Sequence, residues 1–160
     1  MIQKMKNFYL FVLSIFVFGC NANESFVNTL KPEFETISFD VVQKQLLVEH
    51  NLPDYLQSLL SQWFDHRVKI DGFDGDMKFF ISDFNQEISS IDDGKRVDVS
   101  LSFKVVLNKP LESKKRFIEG SISSYGTLTG NFSLNELDTV IQNTQSDLIL
   151  RLSKDLKSKI

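Results

Sequence analysis

The feature that most constrains the fold is an alternation of apolar and polar residues that is regular from position 97 to 105, with its apolar half continuing to 107. The apolar set is Val97, Val99, Leu101, Phe103, Val105 and Leu107. The polar set between them is Asp98, Ser100, Ser102 and Lys104. Because successive side chains of a strand point to opposite faces of a sheet, this pattern predicts an antiparallel strand with one buried face. The other face is predicted to meet water or a partner.

Three more strands are predicted around this one. Residues 37–48 begin with the same period of two and lose it at Val42, which predicts a bulge or a strand end there. Residues 77–88 carry apolar side chains in both parities, which predicts a strand that is buried on both faces or bulged near Asp83. Residues 116–128 alternate with fewer apolar residues, as expected of an edge strand.

Two segments are predicted to be turns. Within a loop at 89–95, the run Asp92-Asp93-Gly94 has the Asp-Gly chemistry of a hairpin turn. Residues 71–76 contain three aspartates, but their spacing differs from the calcium-binding loop with its distal glutamate. We interpret that segment as a solvated loop in which glycine provides positive φ.

The first predicted helix follows Asn51, which we expect to be its N-cap, with Pro53 in the first turn. Its apolar residues fall at the i, i+3, i+4 and i+7 spacing of one helix face: Leu56, Leu59, Leu60 and Trp63. Trp63 is the only tryptophan. We interpret it as a core anchor of the helix on the sheet, and a ligand-stacking role is the alternative.

The last helix has a clear beginning. Ser133 and Glu136 form the pattern of a capping box, and Phe132 and Leu137 stand where a hydrophobic staple would be. The apolar stripe that follows is Leu134, Leu137, Ile141, Leu148, Leu152 and Leu156. A stripe of this length predicts a long amphipathic helix that packs on the sheet.

These elements predict an α+β fold over residues 36–160, which form a single domain. Their order is strand, helix, three strands, helix. The sheet is predicted to be four-stranded and mostly antiparallel. Both helices are predicted to pack on one face, since that arrangement buries every apolar stripe.

The N-terminus has the features of an exported lipoprotein. Lys4 and Lys6 precede an apolar run over 8–18, and Gly19-Cys20 follows. We predict a signal peptide at 1–19, lipidation of Cys20, and a tether over 20–35. A soluble secreted protein cleaved near residues 21–23 is one alternative. A transmembrane anchor is a weaker alternative, because the apolar run over 8–18 is about half of the ~20 residues that a spanning helix needs.

Charge and the residue after the cysteine bear on location and partners. The chain has 18 basic and 21 acidic residues, and the signal removes two lysines and no acids, so the mature protein is acidic. This argues against a nucleic-acid partner and against electrostatic membrane binding, so the membrane attachment is expected to be covalent, through a palmitate-type lipid on Cys20. Asn21 is not the aspartate that favours inner-membrane retention, which predicts an outer-membrane protein facing the periplasm.

Catalytic and metal-binding patterns are missing from the sequence. Cys20 is the only cysteine, and the two histidines, His50 and His66, lie at opposite ends of the first predicted helix. There is no nucleophile elbow, P-loop or dinucleotide fingerprint. The carboxylates of Asp83, Glu87, Asp98 and Glu119 could meet across the sheet, but we interpret them as a polar outer face. We predict no catalytic residue, no cofactor, no metal and no enzyme activity.

The segment Gly130-Asn131-Phe132-Ser133-Leu134-Asn135-Glu136-Leu137, followed by a long helix that contains Leu150-Arg151-Leu152, resembles the end of an uncharacterised family of proteobacterial lipoproteins. The resemblance covers nearly all of the mature chain, and its most specific motif is Ser133 to Glu136. The layout is also similar to the lipopolysaccharide-assembly lipoprotein and to auxiliary lipoproteins of lipid-transporting ABC systems. The family resemblance implies no active site.

The sequence therefore favours a non-enzymatic lipoprotein that docks on an envelope assembly or transport complex through a free sheet face or an edge strand. Its protein partner is expected to lie in the envelope. A carrier or sensor for a lipid or another small apolar ligand, held between helices and sheet, is the alternative. A degenerate hydrolase is the third hypothesis.

Overall fold

Two helices cover one face of a four-stranded sheet in this computed structural model, which describes residues 34–49 and 51–160. The α+β fold with its mostly antiparallel sheet is confirmed. The predicted signal peptide 1–19, Cys20, His50 and the tether as far as residue 33 lie outside the described residues.

The elements follow one another in this order: β1 Ile37–Phe39, β2 Gln43–Val48, α1 Asp54–Arg67, β3 Val68–Ile70, β4 Asp76–Ile91, β5 Gly94–Lys109, a 3-10 turn Pro110–Glu112, β6 Lys114–Thr129 and α2 Leu134–Lys159. The main sheet has the order β2-β4-β5-β6. β2 runs parallel to β4, and the other neighbours are antiparallel. β1 and β3 form a separate parallel pair.

The first predicted strand is in fact two strands in two different sheets. The backbone turns after Phe39, where the amide of Val41 donates to the Phe39 carbonyl at 2.9 Å. The loss of alternation at Val42 therefore marks a strand end. The three residues of β3 escaped prediction because so short a segment shows no period.

The long hairpin of β4 and β5 confirms the predicted bulge and corrects the predicted loop. The register shifts between Ile81 and Asp83, as the apolar residues in both parities indicated. The loop expected over 89–95 shrinks to the two-residue turn Asp92-Asp93, because both strands continue to it. Gly94 is required there, since a Cβ would lie 1.9 Å from the Leu128 carbonyl oxygen.

β6 is the edge strand that the sequence predicted. It pairs with β5 over its whole length without a bulge. Its other side has no neighbouring strand within the described residues.

Helix α1 begins later than its sequence suggested. The N-cap is Pro53, with no side-chain hydrogen bond, so the prediction of Asn51 as N-cap is wrong. Asn51 lies two residues before the N-cap, too early for its side chain to act as the cap. At the other end, the Lys44 ammonium group donates to the carbonyls of Phe64 at 2.7 Å and Val68 at 2.6 Å, which satisfies acceptors that the helix leaves free.

An aromatic cluster joins α1 to the sheet. Trp63 is fully buried and meets Phe79 edge-on, with ring centroids 5.7 Å apart. Phe79 stacks on Phe103 of β5 at 5.8 Å, and Phe64 meets Phe79 edge-on at 6.0 Å. These contacts confirm Trp63 as a core anchor.

Helix α2 has the predicted capping box. The amide of Glu136 donates to Ser133 Oγ at 3.3 Å, and the amide of Ser133 donates to Glu136 Oε2 at 2.7 Å. The apolar stripe is buried in its later part, at Leu148, Leu152 and Leu156. Leu134 is 79% exposed and does not belong to the buried stripe. Leu134 lies in the first turn of α2, where most residues are exposed.

The folded domain includes two residues at the end of the expected tether. Phe34 is buried in the core. The Glu35 carbonyl accepts the Ser153 hydroxyl at 3.4 Å, and its carboxylate pairs with Lys157. The chain therefore joins the body against the last turns of α2.

Replacing Phe79 with alanine is expected to reduce the free energy of unfolding by about 3–5 kcal/mol, because it removes a ring from the middle of the core. Phe73→Ala is the matched control, since Phe73 is 87% exposed. It should change stability by about 0.5 kcal/mol or less. Urea unfolding followed by circular dichroism measures both, and equal losses would contradict the assignment of the core.

The capping box predicts a pH dependence of stability. Hydrogen bonds from the Ser133 amide and hydroxyl lower the pKa of Glu136. The unfolded side chain has a pKa of about 4.3, so the stabilisation is fully present above that pH and is lost as pH falls through the lower folded pKa. The stability difference between the native chain and Glu136→Gln should therefore shrink on acidification. Asp138→Asn, an exposed change in the same helix, is the control, and a difference that stays constant between pH 6 and pH 3 would contradict the account.

Candidate docking surface

The face of the sheet that points away from both helices is the main candidate surface, and we call it the outer face. It consists of the even-numbered residues of β5, the odd-numbered residues of β6 and their neighbours on β4. The four polar residues predicted for the open face of the third strand are half-buried or exposed on it: Asp98, Ser100, Ser102 and Lys104. Both helices pack on the other side, so no described element covers this face.

The part of the outer face nearest the turn between β4 and β5 is built around one arginine. Arg96 donates to both carboxylate oxygens of Asp98, with distances of 2.7–3.0 Å, and its guanidinium lies 4.4 Å from the centre of the Tyr125 ring. The hydrogen bonds from Arg96 lower the pKa of Asp98, and the same bonds raise the pKa of Arg96. Both groups stay charged at neutral pH, so this part presents an aromatic ring beside a compensated ion pair.

The middle and the far part of the outer face differ in chemistry. In the middle, the hydroxyls of Ser102 and Ser121 lie 2.8 Å apart, which makes a flat zone of small side chains. Farther along, the Lys104 ammonium lies 5.0 Å from the centre of the Phe117 ring and 3.6 Å from the Glu119 carboxylate. An open groove of about 620 Å³ runs along this part and includes Phe80 in its lining.

The edge of β6 borders the outer face. Its charged residues are confined to positions 114–119, and residues 120–129 contain neither charge nor proline. Phe117 and Tyr125 are 63% and 61% exposed and lie on the outer face. A long, uncharged, unbulged edge is a template for pairing with another strand.

The position of these two aromatic residues is visible in the sequence. Phe117 and Tyr125 share their parity with Glu119, Ser121 and Ser123, so they are apolar residues in the polar half of an alternation. An aromatic residue in that position either lies on an exposed face or is covered by a partner.

A second free edge, on β4, is less suited to pairing. β2 reaches only as far as Ile81, so residues 83–91 of β4 lack a neighbour on that side within the described chain. This part of β4 begins at the bulge and carries Asp83 and Glu87, and bulges and charges are the features that protect natural edges.

Two of the four sheet carboxylates singled out in the sequence, Asp98 and Glu119, have side-chain partners. Asp98 binds Arg96 and Glu119 pairs with Lys104, as a polar outer face requires. In the aspartate-rich loop, Asp74 Oδ2 accepts the Leu111 amide at 3.1 Å. Among the described residues there is no group of three side chains placed to hold a metal ion.

The space between α2 and the sheet, where the carrier hypothesis places its ligand, is filled by fully buried side chains of Leu148, Ile149, Leu152 and Leu156. A depression of about 420 Å³ opens at its margin. Its lining includes Phe39, Leu107, Lys109, Arg116 and Ile160. The helices of the described chain are too short or too polar to cross a bilayer.

No protein-family model matches the sequence, and no curated protein matches it. Solved structures with a similar arrangement include a minor lipoprotein from Acinetobacter baumannii, at 11% identity and a TM-score of 0.48, over 75% of this chain and 92% of that one. Rare lipoprotein B from Shewanella oneidensis aligns at 13% identity and 0.46, over 74% and 98%. Lipoprotein GNA1162 from Neisseria meningitidis aligns at 13% identity and 0.33, over 69% and 98%. These three structures are bacterial lipoproteins, and TM-scores below 0.5 give no argument about function.

Proposed function

We propose that this protein is a non-enzymatic, lipid-anchored lipoprotein that faces the periplasm from the outer membrane. It serves as an accessory, docking component of an envelope assembly or transport complex. The observation that carries the proposal is the edge of β6, whose residues 120–129 are uncharged and unpaired on one side within the described chain.

Docking occurs by addition of a strand from the partner protein to β6. The free N–H and C=O groups of the edge provide main-chain hydrogen bonds to any extended segment, and alternate side chains provide selectivity. The partner's side chains then extend over the outer face, where Phe117 and Tyr125 offer the exposed aromatic surface. Aromatic residues of this kind are enriched at protein interfaces.

Cys20 is the point of membrane attachment. Its thiol carries the lipid in the mature protein, which lacks residues 1–19. The acidic chain provides no basic surface for nucleic acid, and no cofactor or catalytic residue is part of the proposal. The work of the complex is done by the partner, and this chain holds the partner at the membrane.

Site-specific photo-cross-linking tests the docking surface. A photoreactive phenylalanine analogue is placed at Phe117 or Tyr125 in the full-length protein in intact cells. Each position should give a discrete adduct with the same partner. The control position is Gln142, which is exposed on α2.

A charge placed on the edge should abolish these adducts. Ser123→Lys puts an ammonium group in the uncharged stretch of β6, where strand addition would bring it against the partner. Gln142→Lys is the matched control and should leave the adducts unchanged. Adducts that survive Ser123→Lys, or equal cross-linking from the α2 position, would contradict docking at β6.

A further inference from the structure

Three connections meet at one end of the sheet, and we call this end the loop end. They are residues 40–42, 71–75 and the turn at 110–112. The amide of Val42 donates to the Gly75 carbonyl at 3.1 Å. The amide of Leu111 donates to the Asp74 carboxylate at 3.1 Å, so all three connections are tied together.

The backbones at the loop end touch so closely that side chains are excluded at two positions. A Cβ on Gly72 would lie 2.4 Å from the Val41 nitrogen, and one on Gly75 would lie 2.2 Å from the Asn108 carbonyl oxygen. Gly75 also has a φ of +86°, a conformation that favours glycine. The loop end therefore has a closely packed backbone, from which exposed side chains project.

Each of the three connections exposes an apolar side chain. Phe73 is 87% exposed, Leu111 is 77% exposed and Val42 is 50% exposed. Single exposed apolar residues are ordinary on protein surfaces, whereas groups of them are typical of surfaces that bind a protein or a membrane. The three residues here lie on connections that are hydrogen-bonded to one another.

The position of the chain start favours a membrane. Phe34 is buried and Glu35 pairs with Lys157 in the last turns of α2. Just beyond the end of α2, Ile160 borders the depression at the loop end together with Arg116. The chain from Cys20 to Phe34 spans at most about 50 Å at roughly 3.3–3.6 Å per residue. A lipid on Cys20 therefore keeps the body within one molecular length of the bilayer, since a 16-residue strand is about 53 Å long.

The charges at the two ends of the sheet also favour the loop end as the one that contacts a membrane. The three connections of the loop end carry four carboxylates: Asp40, Asp71, Asp74 and Glu112. Lys109 pairs with Asp40 and, at 3.0 Å, with Glu112, and the three residues 114–116 that follow the turn are all basic, so acids and bases are equal in number there. The opposite end of the sheet contains the turn between β4 and β5, and we call it the hairpin end. It presents Asp92 and Asp93 at its tip, which an anionic lipid surface repels. A compensated, apolar end is the better match to a lipid interface.

We propose that the loop end contacts the bilayer, with Phe73, Leu111 and Val42 inserted among the lipid headgroups beside the anchor. The sheet then stands on its end, and the outer face and the β6 edge point sideways, free for a partner. This proposal rests on the lipidation of Cys20 in the proposed function. It goes beyond that function by assigning a second, non-covalent contact to the membrane.

Depth-dependent fluorescence quenching tests the proposal. Phe73→Cys or Leu111→Cys is made in the full-length lipidated protein and labelled with an environment-sensitive fluorophore. The thiol of Cys20 is consumed by its lipid, so the new cysteine alone takes the label. The protein is placed in vesicles of phosphatidylethanolamine and phosphatidylglycerol, with and without spin-labelled lipid. Leu134→Cys is the matched control, because Leu134 is a leucine as exposed as Leu111 and lies at the hairpin end.

Labels at positions 73 and 111 should shift their emission to shorter wavelength on vesicles and lose intensity with the spin-labelled lipid, whereas a label at 134 should do neither. Quenching of all three labels by aqueous iodide alone would overturn the proposal. Protection of positions 73 and 111 from both quenchers would also overturn it, since protein would then cover the loop end. Flotation with the vesicles separates the two claims. A protein that floats without lipid quenching keeps its anchor and lacks the insertion, and a protein that fails to float contradicts both.

Discussion

The packing of Phe79 between Trp63 of α1 and Phe103 of β5 is the contact on which the rest of the structure depends. It joins the first helix to the centre of the sheet on the same face that α2 covers with its leucine stripe. Burial of large apolar side chains of this kind contributes roughly 1.5–3 kcal/mol each. Because all of this burial lies on one side, the sheet keeps a polar outer face and a bare edge at β6. The surfaces available for function follow from this one-sided core.

Elements whose periodic pattern repeats over many residues were predictable from sequence, and the short elements were not. The alternation in β5 and the cap of α2 are local signals repeated over many residues, so the strand and the helix start were found. The split between β1 and β2 depends on a turn that is closed by backbone hydrogen bonds at Val41, and sequence does not show these. Leu134 has the spacing of the apolar stripe but lies in the exposed first turn of α2. The spacing of apolar residues along a helix does not show which of its turns the sheet covers.

The candidate surfaces also divide into one that could be predicted from sequence and one that could not. The polar residues of the outer face and the edge position of β6 could be read from alternation, and the parity of Phe117 and Tyr125 would have marked the aromatic residues. The loop end could not be predicted, because residues 42, 73 and 111 are far apart in sequence and are brought to one end of the sheet only by the fold. Its close backbone contacts at Gly72 and Gly75 depend on the tertiary structure. Under the two proposals, the domain has a membrane-facing end and a partner-facing side.

The central claim is that a lipid on Cys20 holds this domain at the membrane. Incorporation of labelled palmitate, combined with membrane fractionation, tests it most directly by comparing the native protein with Cys20→Ser. Since the chain has no other cysteine, the serine variant should lose both the label and its place in the membrane fraction. Labelling that persists in Cys20→Ser would contradict the account.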